Sequence, residues 1–118
     1  MSDEFMQSIL HDPNKQEALR WLKGGREGDF RSVGELGTNE ESIALIQRIY
    51  DAGAVEVIAV RIDEYPGEGQ NTGKLVIKLP DEPELRQGLF ALAGGIAQRL
   101  GFDPEQDTGQ TYLFLMLD

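Results

Sequence analysis

From about Phe30 onward the apolar positions of this chain change period in a definite order. A short run at Phe30–Leu36, interrupted by Gly34, has strand-like composition and is followed by helical spacing at Ile43, Ile46, Ile49 and Tyr50. Val55–Ile62 is β-branched and apolar, and Lys74–Leu79 alternates with Leu75, Ile77 and Leu79 on one side. Leu85, Leu89, Leu92 and Ile96 restore the helical period before Thr111–Leu117 closes the chain as a strand. The punctuation agrees with this division. Thr38 and Glu41 have the T-x-x-E spacing of a capping box, in which side chains satisfy the orphan N–H groups of a helix start. Gly53 suits the position just past a helix. Asp81–Glu84 repeats the capping logic with Pro83 in the first turn, and Gly101 ends that helix.

The order β-α-β-β-α-β predicts an α+β fold of the ferredoxin-like split βαβ kind, a two-layer sandwich with both helices on one face of the sheet. In topology alone it resembles small regulatory and ligand-binding modules such as ACT-like domains. Ahead of it, Phe5, Met6, Ile9 and Leu10, then Ala18, Leu19, Trp21 and Leu22, repeat at helical spacing. Asp12-Pro13 reads as a cap with proline at the first helical position, and Gly24-Gly25 as a stop. Residues 1–28 are therefore expected as an N-terminal helical extension packing on a domain formed by residues 29–118, with Trp21 as its anchor.

Composition narrows the chemistry. With 118 residues the chain fits a single domain. It has no cysteine, which removes disulfides, thiolate metal sites and cysteine nucleophiles and suits a reducing cytoplasm. The formal charge of −10 repels phosphate backbones, so nucleic acid is not an expected partner. No stretch approaches the ~20 apolar residues of a membrane span, and the acidic start, Met1-Ser2-Asp3-Glu4-Phe5, is unlike a secretory signal. The expected location is cytoplasmic.

Three motifs invite chemistry and lose it on inspection. Gly67–Lys74 departs from a phosphate-binding loop in spacing, has Leu75 where a hydroxyl would hold magnesium, and leads into a strand, so it reads as a hairpin loop. Asp103, Glu105 and Asp107 are spaced like the start of a calcium loop, but Thr108 stands where glycine is required and Phe114 where the bidentate glutamate belongs. His11, the single histidine, excludes a multi-histidine metal site and reads as a surface residue. No metal, cofactor or catalytic residue is assigned. Gly94-Gly95 within a helix predicts close packing, with a shallow ligand groove as the alternative.

Strand alternation carries the functional expectation. Setting Ile58, Val60 and Ile62 toward the helices puts Val57, Ala59, Arg61 and Asp63 on the other face. Leu75, Ile77 and Leu79 leave Lys74, Val76 and Lys78 there, and Leu113, Leu115 and Leu117 leave Tyr112, Phe114 and Met116. The candidate binding face is thus Arg61, Asp63, Lys74, Lys78, Tyr112, Phe114 and Met116. A patch this apolar needs a cover. The N-terminal helices rank first, a homodimer second, and a small anionic or aromatic ligand third. The expectation is a non-enzymatic, acidic binding or protein-interaction domain that self-associates through this face. The alternatives are a small ferredoxin-like enzyme with Glu35 or Asp63 as base beside Arg61, or an acidic decoy or immunity-type protein that docks on a basic partner.

Overall fold

The computed structural model describes residues 3–25, 30–35, 38–67 and 69–117. In chain order these form α1 (Asp3–Leu10), β1 (Gln16–Glu17), α2 (Ala18–Lys23), β2 (Arg31–Val33), α3 (Asn39–Asp51), β3 (Glu56–Val60), β4 (Asp63–Tyr65), β5 (Gly69–Thr72), β6 (Lys74–Lys78), α4 (Pro83–Arg99) and β7 (Tyr112–Met116). The fold is α+β. A four-stranded antiparallel sheet runs β1-β3-β6-β7, and a three-stranded sheet runs β2-β5-β4, with β2 parallel to β5.

The strand order differs from the ferredoxin-like one. That arrangement needs the first long strand between the third and the last, but β6 and β7 pair directly through Lys74–Lys78 and Tyr112–Met116. The Phe30–Leu36 run instead supplies β2, three residues that lie beside β5. Gly34, at φ +56, marks its exit, and any Cβ there would fall 2.5 Å from Leu117 Cβ. The Gly-rich loop expected after β3 is mostly structured. It forms the β4–β5 arm, which extends the β3–β6 hairpin past a bend. At that bend Arg61 adopts φ 53, and the Thr72 hydroxyl donates to Val60 O while accepting from Lys74 N at 3.1 Å.

The start at Thr38 is as the sequence predicts, but Asp12-Pro13 opens no helix: residues 11–15 form a turn, Asp12 accepts from Asn14 N and Arg61 N instead, and α2 begins only at Ala18. Thr38 Oγ1 accepts from Glu41 N at 3.0 Å. Glu17 caps α2, its carboxylate accepting from Leu19 N at 3.1 Å and Arg20 N at 2.8 Å. At α4, Pro83 opens the helix, but Glu82 makes no side-chain cap bond. The buried stripe of α4 is Leu89, Ala93, Ile96 and Ala97, not Leu85-Leu89-Leu92-Ile96: Leu85 in the first turn stays 40% exposed, and Leu92 is half-buried at the edge of the core.

Two clusters of apolar side chains lie on opposite faces of the four-stranded sheet. On one face Val57, Ala59, Leu75, Ile77, Leu113 and Leu115 meet Trp21 and Leu22 of α2, Ile46 and Ile49 of α3, and Leu89, Ala93 and Ile96 of α4. On the other, Ile58, Val60, Val76 and Phe114 meet Met6 and Ile9 of α1. The assignment for β3 is therefore corrected by one residue: Val57 and Ala59 face the main helices, and Ile58 and Val60 face α1. Period-two patterning cannot choose between these registers when both faces of a strand are buried. Alternation placed β6 and β7 as observed, with Val76 and Phe114 on the α1 side.

The two N-terminal helices go to different sides. α1 covers the sheet face left by the main helices, whereas α2, with Trp21 0% exposed, is part of the main core. Trp21 Nε1 donates to Gln70 Oε1 at 2.9 Å, tying α2 to the small sheet. A helix of eight residues is marginal alone, so α1 depends on its contacts. Burying Met6 and Ile9 contributes roughly 1.5–3 kcal/mol each before ordering costs. Asp12, just past α1, fixes it further by accepting from Arg61 N at 2.8 Å and Asn14 N at 2.9 Å. Those bonds outweigh burial and hold the Asp12 carboxyl below its ordinary range.

Candidate functional site

The pairing registers place the predicted face residues in rows. Val60, Lys74 and Met116 lie across from one another, as do Ile58, Val76 and Phe114, and Glu56, Lys78 and Tyr112. Lys74, Lys78, Tyr112 and Met116 thus flank an apolar centre occupied by α1, and the Phe5 ring meets Phe114 edge-on at 5.9 Å. Arg61 and Asp63 are not in these rows. Arg61 turns out of β3 at the bend, and Asp63 pairs with Asn71 in the small sheet. Both are exposed, as is Glu35, so neither proposed base has the partly buried setting that general-base chemistry requires.

The other sequence motifs resolve into structural roles. Asp107 pairs with Arg86 at 2.7 Å, and that bond, with one from Gly109 N, lowers its pKa. Arg86 also donates to Pro80 O at 3.2 Å and Gln110 O at 2.9 Å, fastening the 102–110 segment to α4. Glu105 Oε2 accepts from Phe114 N at 2.9 Å and so covers an outward amide of β7, the edge strand. A Cβ on Gly94 would meet Pro104 Cβ at 3.3 Å, the close packing expected of that glycine, whereas Gly95 has no neighbour within 4 Å. His11 is exposed. Among the described residues, no cluster of three or more potential ligands could hold a metal ion.

A polar network joins three elements inside the molecule. Tyr50 of α3 donates its hydroxyl hydrogen to Glu17 Oε2 at 2.5 Å and accepts from Val57 N at 2.9 Å. Burial, then the bond to the Glu17 carboxylate, pushes the Tyr50 phenol up to about 12. Burial would raise the Glu17 carboxyl, but the bonds from Tyr50, Arg20 N and Leu19 N prevail and lower it. Every group here is occupied by protein, so the network is a fastening.

Among the described residues, two concavities stand out. The smaller, about 160 Å³, lies between α4, β7 and residues 102–105, and carries Asp103 and Glu105 beside Phe90, Phe102 and Phe114. The larger, about 420 Å³, lies between α3 and α4. Val33, Ile96 and Leu117 form its buried floor, Ala44, Leu45 and Leu100 its walls, and Glu35, Glu41, Arg48 and Arg99 its rim. Among the described residues neither arginine is paired with a carboxylate.

This groove was missed because its wall and rim residues fall off the buried stripes. Leu45 and Arg48 flank Ile46 and Ile49, and Leu100 lies beyond the last turn of α4. The available signal was Leu45 and Leu100 themselves, apolar positions that the helical period leaves unburied.

No protein-family model matches the chain, and no curated protein or solved structure does either. Among the described residues, no helix is long and apolar enough to cross a membrane.

Proposed function

We propose that this chain is a non-catalytic binding domain that uses the groove between α3 and α4. The observation that carries this reading is the groove's volume of about 420 Å³, with six apolar lining residues and four charged ones at the rim. Ligand sites are typically concave, mainly apolar and roughly 300–1,000 Å³, with few polar groups to orient what binds. The 160 Å³ concavity beside β7 falls below that range. A cysteine-free chain suits a reducing compartment, and the cytoplasm is its expected location.

A fragment screen read by amide chemical shifts tests the reading. Binders should perturb Ala44, Leu45, Ile96 and Leu100 together. A screen whose binders cluster elsewhere, or that finds none, would overturn it.

Self-association through the sheet is a second reading, favoured by Phe5, which remains 44% exposed while resting on Phe114. Since Met6 and Ile9 already fill the centre of that face, a dimer there would dock through the exposed Phe5 or exchange α1 between copies. Light scattering over a range of concentrations decides: a monomer throughout removes this reading.

A further inference from the structure

We propose that the ligand of the α3–α4 groove is a small amphipathic carboxylate, its alkyl or aryl body on Leu45, Ile96, Leu100 and Leu117 and its carboxylate on Arg48. This rests on the binding-domain reading and adds the chemistry and orientation of the ligand. The two helices run in opposite directions: a Cβ at Gly53, past the end of α3, would meet Leu85 near the start of α4 at 3.1 Å, whereas Leu45 shares the groove with Ile96 and Leu100. On α3 the groove side is the stripe Glu41, Ala44, Leu45 and Arg48. Seven residues of helix separate Glu41 from Arg48, about 10 Å along the axis.

Because α4 is antiparallel, its last-turn Arg99 lies toward the Glu41 end of the groove, where a cation and an anion share the rim. Glu35 enters from β2, whose Gly34 packs on Leu117. Arg48 stands at the opposite end of the stripe, with Ala44 and Ala52 one turn to either side on its own helix. The nearest acid along that helix, Asp51, accepts from Gln47 Nε2 at 3.0 Å. Arg48 thus offers an anion a cation at that end of the groove, set against the negative pole of the α3 C-terminus and a net charge of −10.

Guanidinium offers a planar fork that matches a carboxylate. The buried floor of Val33, Ile96 and Leu117 has no side-chain polar group to meet a charge, so the apolar body goes inward and the carboxylate stays at the rim. An amine would meet repulsion at Arg48. An alcohol would gain only its hydrocarbon contacts.

The test is a chemical-shift titration of the full chain with decanoate, decanol and decylamine, each below its micellar or solubility limit. The wild type should bind decanoate with saturable shifts at Ala44, Leu45, Ile96 and Leu100, and the other two more weakly. Arg48→Gln should weaken decanoate about tenfold, the scale of one charged hydrogen bond, and Arg99→Gln less than about threefold. Ala44→Trp, at an exposed position, should fill the groove and abolish binding while the remaining spectrum stays native. If decanol binds at the same amides as tightly as decanoate, the groove stands as a site and the carboxylate assignment falls. Equal losses in Arg48→Gln and Arg99→Gln would overturn the orientation. No shift at these amides with any of the three compounds would overturn this proposal, while fragment binders of other chemistry clustering there would leave the groove itself standing.

Discussion

Replacing Tyr50 with phenylalanine should cost far more than the loss of one surface hydroxyl. The Tyr50 oxygen is shared by two partners, the Glu17 carboxylate at 2.5 Å and the Val57 amide at 2.9 Å. Val57 is fully buried, and a buried N–H deprived of its acceptor costs about 1–3 kcal/mol. The bond to the carboxylate adds about 1 kcal/mol after discounting, because Glu17 is half-buried and keeps its two backbone donors. The sum is about 2–4 kcal/mol. With an unfolding entropy near 2.1 cal/mol/K per residue, 3 kcal/mol lowers the Tm of this chain by roughly 12 °C. Urea unfolding followed by fluorescence of Trp21, the single tryptophan and fully buried, gives the number. Glu17→Gln should cost less, about 1–2 kcal/mol, and the double variant should fall short of additivity by about 1 kcal/mol. A Tyr50→Phe loss below about 0.5 kcal/mol, or additive variants, would refute the shared-oxygen account.

Other expectations follow from the same kind of accounting. Stability should decline in alkali: the folded Tyr50 pKa is raised from 10.0 to about 12, so its contribution is complete below pH 10 and is lost as pH rises through about 12. Tyr50→Phe should remove that component from the pH dependence of the urea midpoint. Glu105→Ala uncovers the Phe114 amide on an edge strand of sequence Tyr-Leu-Phe-Leu-Met, and should cost about 1–2 kcal/mol and raise light scattering with concentration. Unchanged scattering and midpoint would show that the 102–105 segment guards the edge without it. Thr72→Val keeps the volume but removes the hydroxyl that joins Val60 O to Lys74 N, costing about 1–3 kcal/mol, with amide exchange rising first in the β4–β5 arm. Gly69→Ala should be worse still, since the new methyl would fall 1.9 Å from Phe30 O at φ +102. An expressed, equally stable Gly69→Ala protein would contradict that geometry.

Much of this architecture was legible where capping residues or polar positions mark an element. The cap at Thr38, the proline that opens α4, the faces of β6 and β7, and a cover of N-terminal helix over Phe114 follow from spacing and residue type. What escaped is equally physical. β3 is apolar on both faces, so its register has no polar marker. β2, β4 and β5 are short or polar, Arg-Ser-Val, Asp-Glu-Tyr and Gly-Gln-Asn-Thr, and they cohere through backbone pairing that composition does not announce. Trp21 and the α1 residues have similar helical spacing yet occupy opposite sides of the sheet, with the two residues of β1 between them. The α3–α4 groove depends on the distance between two helices that meet the sheet more than each other, which no local pattern encodes.

The burial of β3 on both faces also shapes how this protein can change over generations. Four consecutive positions, Val57 to Val60, have no side turned to solvent, and Leu75 to Ile77 opposite them share that condition. In most sheets every second residue is free to vary, and a lineage explores sequence along the wet face. Here substitutions in the central pair of strands meet either α1 or the main helices, so tolerance should vanish as an unbroken block. A saturation scan would show that block as a continuous intolerant stripe with no period of two. Variation would be pushed outward to the helix rims, which is also where the groove charges lie.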